Sequence, residues 1–104
     1  MVHVSGTTGY DYGSMRMPAD VERQTANALA TVAGVLEEAG AGLEDVVRVR
    51  YYLADRADRD AVARAAGAVF SGIRPAATMV VAGLIEPEMK IEIEVTARIG
   101  ARNS

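Results

Sequence analysis

The strictest pattern in this chain is the alternation of side chains over residues 90–99. Apolar residues occupy every second position, at Ile91, Ile93, Val95, Ala97 and Ile99, and charged or hydroxyl residues lie between them, at Lys90, Glu92, Glu94, Thr96 and Arg98. A period of two residues is typical of a β-strand with one buried face and one polar face. The chain is therefore predicted to contain a sheet whose second face is polar.

Three further strands are predicted. Residues 45–53 repeat the period of two, with Val47, Val49, Tyr51 and Leu53 on the buried face and Val46, Arg48, Arg50 and Tyr52 on the other. Residues 78–84 are apolar on both faces, so we expect a central strand that is covered on both sides. Residues 2–5 predict the end of a strand, followed over residues 6–14 by a loop or short strand.

Two stretches instead show the period of an amphipathic helix. The first is predicted to start at Pro18 and to end at Gly40 and Gly42. Its apolar stripe contains Val21, Thr25, Ala28, Leu29, Val32, Val35, Leu36 and Ala39. The second covers residues 55–70 and stops at Gly72, with a stripe of Val62, Ala65, Ala66, Val69 and Phe70.

This order of elements predicts an α+β fold, in which a mixed sheet carries both helices on one face. The 104 residues suit a single domain over residues 1–104. Two helices cannot cover both faces, so the other face is either solvated or paired with further copies of the chain. Pairing is favoured, because the apolar residues 78–84 would otherwise meet water. The uncovered face is predicted to carry Arg48, Arg50, Tyr52, Glu92 and Glu94.

The composition disfavours several classes of function. There are 11 basic and 14 acidic residues, a net charge of −3, and the basic residues are scattered, so no nucleic-acid partner is expected. The chain has no cysteine and only one histidine, His3, which disfavours metal sites and a Ser-His-acid triad. No apolar run reaches the roughly 18 residues of a membrane span, and no secretion signal is visible. We expect a cytoplasmic protein with no membrane partner, no metal and no cofactor.

Glu92 and Glu94 are the candidates for chemistry that the pattern itself supplies. They share the polar face of one strand, about 6–7 Å apart. Paired carboxylates can take part in acid–base catalysis. The alternative is a ladder of ion pairs with Arg48 and Arg50 on a neighbouring strand, which is the favoured interpretation for Glu94.

Several segments together resemble the reactive intermediate deaminase (Rid) family, also labelled YjgF-like or endoribonuclease L-PSP. They are Val4-Ser5-Gly6, EEAGAGLEDVVRVRYYLAD, IRPAATMVVAGL and KIEIEVTARI, and the resemblance extends over nearly the whole chain. It implies a chorismate-mutase-like homotrimer, with sheets around a central axis, helices outside and three ligand clefts between subunits. The expected partners are therefore a small-molecule ligand and further copies of the chain.

The resemblance also implies which residues form the cleft. Glu92 matches the family glutamate that positions water for attack on an imine, fifteen residues after Ala77. Ser5, beside Gly6, matches a serine that lines the cleft, and Met79 holds a position whose backbone faces the ligand. Ala77 itself stands where the family has the arginine that binds the substrate carboxylate.

Other departures concern the rest of the pocket. Ala63 replaces an asparagine of the family, and the family's first strand with its pocket tyrosine has no counterpart in this sequence. Either the chain starts downstream of the usual site or the pocket is built differently. Without the arginine, a ligand would be oriented by hydroxyls and backbone amides, which Thr8, Tyr10 and Tyr12 can supply. Alternatively, these tyrosines close a hydrophobic edge.

These observations support two main hypotheses. The first is an enzyme that hydrolyses or tautomerises a small enamine, imine or related carbonyl compound lacking an essential carboxylate, with Glu92 as base or water-positioning group. The alternative is a non-catalytic trimer that binds a small metabolite. A nuclease has little support, given the charge of −3 and the single histidine.

Overall fold

A computed structural model of the chain describes residues 1–11 and 13–100. Within these residues the helices and strands follow the predicted order: β1 (Val2–Thr8), α1 (Val21–Glu38), β2 (Val46–Leu53), α2 (Arg59–Val69), β3 (Ala76–Val81) and β4 (Ile91–Ala97). Short 3-10 turns at Leu43–Asp45 and Arg56–Asp58 precede β2 and α2. The strands form one sheet in the order β1-β4-β2-β3. Because β2 and β3 are parallel and the other pairs antiparallel, the α+β class with a mixed sheet is confirmed.

Helix α1 begins three residues later than predicted. The side chain of Asp20 accepts a hydrogen bond from the backbone N–H of Glu22 at 3.4 Å, so Asp20 caps a helix that starts at Val21. The other end closes at Gly40, whose φ of +80° is the left-handed conformation that glycine adopts without strain. The N–H of Ala41 then reaches back to the carbonyl of Leu36 at 2.8 Å, which satisfies an end of the helix that would otherwise lack a partner.

The core lies between the helices and one face of the sheet. The alternation of β4 is confirmed, because Ile91, Ile93, Val95 and Ala97 are all buried. Ile99 follows the end of the strand and is 57% exposed, so its predicted burial is wrong. The buried positions of α1 are Val21, Gln24, Thr25, Ala28, Leu29, Val32 and Leu36. Two predicted members of its stripe, Val35 and Ala39, are exposed, the first on the flank of the stripe and the second beyond the helix end.

Strand β2 reverses part of its predicted pattern. The register with β4 shifts between Val46 and Arg48, which marks a β-bulge or irregularity. An extra residue in a strand changes the face to which the preceding side chains point. Val46 is consequently buried and Val47 is 37% exposed, the opposite of the prediction.

Strand β3 differs most from the expectation. It begins at Ala76, ends at Val81 and lies at the edge of the sheet, where it pairs with β2 alone among the described strands. The prediction of a central strand covered on both sides is therefore wrong for one chain, and Val80 and Val81 are exposed. The connection through α2 explains the position, because it returns the chain parallel to β2 on the side that β4 leaves open.

The face of the sheet opposite the helices, called here the outer face, carries the predicted polar side chains. Arg48, Arg50, Tyr52, Glu92 and Glu94 are all partly or well exposed on it. In the described part of the chain, neither helix combines the length and apolar character needed to cross a bilayer.

Candidate functional site

Backbone pairing arranges the outer face in three rows that run across the strands. The first row contains Thr8, Glu92, Tyr52 and Val80; the second contains Glu94, Arg50 and Thr78; the third contains His3, Thr96, Arg48 and Ala76. Residues paired in register project to the same side of a sheet. Glu92 therefore lies in a row of hydroxyl and apolar neighbours, whereas Glu94 lies beside an arginine.

The carboxylate of Glu92 occupies a space that a glycine leaves open. A Cβ atom built on Gly6 would lie 2.5 Å from Oε2 of Glu92, closer than a real Cβ approaches another heavy atom. Gly6 reaches this place because the pairing of β1 with β4 is irregular between Val4 and Thr7. The structure thus brings together Gly6 and Glu92, two of the residues that the sequence predicts for the site.

Glu94 has a different environment. Its Oε2 lies 3.9 Å from Nη1 of Arg50, and both side chains are 41% exposed. Nη1 of Arg50 also donates to the hydroxyl of Tyr52 at 3.4 Å, and this bond is the main cause of a raised pKa for Arg50, with a smaller contribution from Glu94. The ion-pair interpretation fits Glu94. Among the residues that the structure describes, no arginine pairs with Glu92.

A shallow cavity of about 250 Å³ lies over the second and third rows. It is lined by Arg48, Arg50, Glu94 and Thr96. Arg48 donates to Oγ1 of Thr78 at 3.5 Å, so it too is held along the outer face. The ion pair between Glu94 and Arg50 lies in this cavity, so the charge of Glu94 is partly compensated there.

The remaining residues predicted near β1 are only partly arranged. Ser5 is exposed, and its carbonyl accepts a hydrogen bond from Oγ1 of Thr7 at 2.9 Å. Tyr10 is half-buried directly after β1. Tyr12 lies outside the described residues, so its predicted role stays a prediction.

Ala77 and Met79 lie on the other side of the sheet from Glu92. Ala77 pairs with Val49, and Met79 pairs with Tyr51, both of which face the helices. Strand β2 also separates them laterally from β4. One chain therefore does not bring Ala77 or Met79 to Glu92, and these residues can share a site only across two copies of the chain.

A buried amide side chain holds the turn before β4 against α1, and the sequence pattern does not predict it. Gln24 is fully buried in α1. Its Nε2 donates to the carbonyls of Pro18 at 2.6 Å and Glu88 at 2.9 Å, and its Oε1 accepts from the N–H of Lys90 at 2.9 Å. These three bonds, called here the Gln24 clamp, tie α1 to the turn that ends two residues before Glu92. The only signal in the sequence is a glutamine next to an apolar stripe.

A second cavity, of about 280 Å³, contains two arginines that sequence reasoning did not select. It is lined by Leu53, Arg56, Arg59, Met79 and Val81, and it is called here the arginine cavity. In the sequence, these arginines belong to the stretch of alternating charge over residues 55–60, just after β2. Such a stretch predicts a solvated helix face and not a cavity. Within residues 1–11 and 13–100, no group of three or more His, Asp or Glu side chains is arranged to hold a metal ion.

Comparisons with known proteins agree with this architecture. The family profile described as Endoribonuclease L-PSP matches residues 1–99. An uncharacterized protein of Streptomyces coelicolor is 38% identical over 104 residues, which represent 99% of this chain and 78% of that protein. A structure from Mycobacterium tuberculosis, of a member of the YjgF/YER057c/UK114 family, is 37% identical with a TM-score of 0.84, covering 93% of this chain and 77% of its own.

A structure of the YjgF gene product from E. coli is also similar. It is 28% identical, with a TM-score of 0.85, and the match covers 91% of this chain and 77% of that one. The family profile spans almost the whole chain, and its matched residues include both helices and all four strands of the sheet. The chain therefore belongs to the endoribonuclease L-PSP family, the group of Rid-like proteins that includes YjgF.

Proposed function

We propose that this protein is a Rid-like enzyme that hydrolyses or tautomerises a small enamine, imine or related carbonyl compound, with Glu92 as the base or the group that positions water. Membership of the family supports a function that involves small molecules. The observation that carries the proposal is the placement of Glu92 against Gly6, without an arginine partner in the described part of the chain. A carboxylate that is not neutralised by a neighbour is free to accept a proton from a ligand or water.

In the proposed hydrolysis, Glu92 is the ionisable side chain that accepts and returns protons. An enamine first becomes an imine, as a proton moves from nitrogen to carbon. The oxygen of water then bonds to the imine carbon while one of its protons passes to Glu92. The electron pair of the C=N π bond moves to the nitrogen, which takes up the proton held by Glu92 and then the proton of the new hydroxyl group. The C–N bond breaks, and ammonia leaves with the electron pair of that bond as the carbonyl forms. A tautomerase would use Glu92 for the first proton transfer alone.

We further propose that the active unit is a homotrimer with clefts between subunits. Two observations support it: Ala77 and Met79 face away from Glu92 within one chain, and Val80 and Val81 are exposed on an open edge. Burial of such an apolar edge is a favourable contribution to association. Sedimentation of the purified protein should then give a mass near three times the 11.0 kDa of one chain.

The substitution Glu92→Gln tests the catalytic assignment. It keeps the shape of the side chain but removes its ability to accept a proton, and removal of a general base lowers rates by about 10²–10⁴-fold. Glu94→Gln is the matched control, because it makes the same change on the same strand and face, two residues away, in a side chain that is paired with Arg50. Turnover should fall in the first variant and persist in the second.

An unchanged rate in Glu92→Gln on any confirmed substrate would contradict the proposal. Sedimentation of both variants separates a loss of chemistry from a loss of assembly. If Glu94→Gln loses activity together with the trimer, its effect belongs to the interface and leaves the role of Glu92 intact.

A non-catalytic, metabolite-binding trimer is the second candidate. It is favoured by Ala77, which offers no charge at the position where the family resemblance would place an arginine. Ligands found by thermal-shift screening and recovered chemically unchanged after long incubation would favour this candidate over the enzyme. RNA cleavage is not proposed, because the net charge of −3 and the single histidine provide neither a phosphate-binding surface nor paired acid–base imidazoles.

A further inference from the structure

Tyr52 lies next to Glu92 on the outer face. The two residues are paired in register between β2 and β4, and Val80 of β3 flanks Tyr52 on its other side. Paired Cα atoms on antiparallel strands are about 4.5–5.5 Å apart, and their side chains project to the same side of the sheet. Tyr52 and Glu92 are both half-buried. The phenol ring and the carboxylate therefore border one stretch of the outer face, which is apolar at Val80.

The hydroxyl of Tyr52 is held through its oxygen and not through its hydrogen. A phenol carries one hydrogen-bond donor and can also accept hydrogen bonds. The oxygen accepts from Nη1 of Arg50 at 3.4 Å, and this bond leaves the O–H group available as a donor. Among the residues that the structure describes, this O–H group has no acceptor. A ligand on the outer face therefore meets a hydrogen-bond donor that Arg50 helps to orient.

Glu92 supplies the opposite function. An ionised carboxylate only accepts hydrogen bonds, and in the described part of the chain the carboxylate of Glu92 forms neither a hydrogen bond nor an ion pair. Tyr52 and Glu92 are neighbours without a bond to each other, so a small molecule can contact both groups at once. An isomerisation needs this combination of acid and base, because one ligand atom loses a proton as another gains one.

We propose that Tyr52 is the acid partner of Glu92 and that the two residues tautomerise a small neutral carbonyl compound or its imine. A C–H bond next to the carbonyl breaks, its proton passes to the carboxylate of Glu92, and its electron pair forms a C=C bond. The π electron pair of the C=O bond moves to the oxygen, which takes the proton of the Tyr52 hydroxyl. Arg50 then stabilises the phenolate oxygen by a charge-assisted hydrogen bond. Glu92 gives its proton to water and the phenolate takes one from water, which restores both side chains.

This inference rests on the proposed function and deepens it, because it adds a residue and selects a substrate class. In the described strands, the row that contains Glu92 and Tyr52 has no basic member. Arg50 in the next row already contacts Tyr52 and Glu94. An anionic substrate would be repelled by Glu92 without a cation to compensate. A neutral carbonyl compound needs no such cation, and its carbon atoms can contact the phenol ring and Val80.

The experiment follows the exchange of hydrogen for deuterium in two neutral probes, cyclopentanone and nitroethane, by proton NMR in D₂O at neutral pH. Removal of a proton from cyclopentanone puts negative charge on the carbonyl oxygen, so the exchange gains from both a base and an acid. Removal of a proton from nitroethane depends mainly on the base, because the nitro group holds the negative charge without a proton donor. We expect the protein to accelerate both exchanges over buffer alone.

Tyr52→Phe removes only the hydroxyl, and it should slow the exchange of cyclopentanone by about 10²-fold or more while nitroethane keeps the wild-type rate. Tyr51→Phe is the matched control, because it makes the same change one residue away, in a buried side chain that faces the helices. It should change neither rate.

Arg50→Gln leaves the phenol in place but removes the charged donor to its oxygen, so the exchange of cyclopentanone should slow by about tenfold. Arg48→Gln makes the same charge change on the same strand and face and should have no effect. Circular dichroism and sedimentation of each variant check that the fold and the assembly match those of the wild type. An unchanged rate in Arg50→Gln contradicts the role assigned to Arg50.

Three results overturn the inference: a wild type that exchanges cyclopentanone no faster than buffer, an unchanged rate for cyclopentanone in Tyr52→Phe, or an equal slowing of both probes in that variant, which is the mark of a structural role. The outcome for Glu92 is separate. If Glu92→Gln stops the exchange of nitroethane while Tyr52→Phe exchanges cyclopentanone normally, Glu92 stands as the base and this inference fails. If Tyr52→Phe slows cyclopentanone alone while Glu92→Gln exchanges both probes normally, the acid at Tyr52 stands and the role of Glu92 fails.

Discussion

Replacement of Gln24 by methionine should destabilise the fold more than any exposed polar substitution in the chain. Methionine is unbranched, close in length and a good helix former, so Gln24→Met changes the hydrogen bonds of the Gln24 clamp and little else. The carbonyls of Pro18 and Glu88 and the N–H of Lys90 would each lose a partner at 2.6–2.9 Å. None of these three groups belongs to a helix or strand that could replace the bond.

The expected magnitude follows from the number of bonds and their burial. A net contribution of about 1 kcal/mol for each hydrogen bond gives a loss of about 3 kcal/mol in the free energy of unfolding. Glu88 is exposed and water can replace its partner, whereas Gln24 is fully buried, so the loss lies at about 2–4 kcal/mol. A domain of this size has about 5–15 kcal/mol in total, so a substantial share of the stability depends on one amide.

The measurement is urea unfolding at a fixed protein concentration, because the proposed trimer would make the midpoint of unfolding depend on concentration. Asn27→Leu is the matched control: it removes an amide from the same helix, but one that makes a single 3.3 Å bond, to the carbonyl of Gly9. Its cost should stay below about 1 kcal/mol. A Gln24→Met protein within about 0.5 kcal/mol of the wild type, a change typical of surface sites, would refute the reasoning.

Two other predictions concern the site and the core. Gly6→Ala places a Cβ 2.5 Å from Oε2 of Glu92 and should displace the carboxylate, which lowers turnover by between about tenfold and a hundredfold while the circular dichroism spectrum stays that of the folded protein. The control is Gly67→Ala, whose Cβ enters open space and should leave activity unchanged. Full activity of Gly6→Ala would contradict the prediction. Burial raises the pKa of Tyr51 to about 12, so the folded state keeps the neutral phenol while the unfolded chain ionises near pH 10. The contribution of Tyr51 to the free energy of unfolding should be constant below pH 10 and should fall by about 2–3 kcal/mol as the pH rises towards 12. Unfolding curves measured across this pH range should therefore depend less on pH in Tyr51→Phe than in the wild type.

The faces of β4 could be predicted from the sequence because its alternation is unbroken and one face is fully buried. Strand β2 shows the limit of the same rule. Its register shift lies between Val46 and Arg48, and no residue in the segment marks the place, so the pattern alone assigns Val46 and Val47 to the wrong faces. The bulge is set by tertiary pairing with β4, which local periodicity does not contain.

The family resemblance predicts Gly6 and Glu92 for one site, but the sequence does not give the position of β3 or the packing of Gly6 against Glu92. An apolar run indicates a strand with apolar surroundings, but it does not distinguish a central strand from an edge strand. The contact between Gly6 and Glu92 joins residues that are far apart in the chain, through the irregular pairing of β1 with β4. Arg56 and Arg59 lie in a segment whose alternating charges are typical of solvated helices, so only the cavity around them distinguishes them.

The open edge of β3 also affects how the isolated chain behaves in solution. Ala76–Val81 contains neither a charged residue nor a proline, and both features commonly protect exposed strands against unwanted pairing. Six-residue segments of this composition are prone to stack between molecules. A single copy of the chain therefore presents an unprotected apolar edge, and an association of copies that covered this edge would compete directly with aggregation.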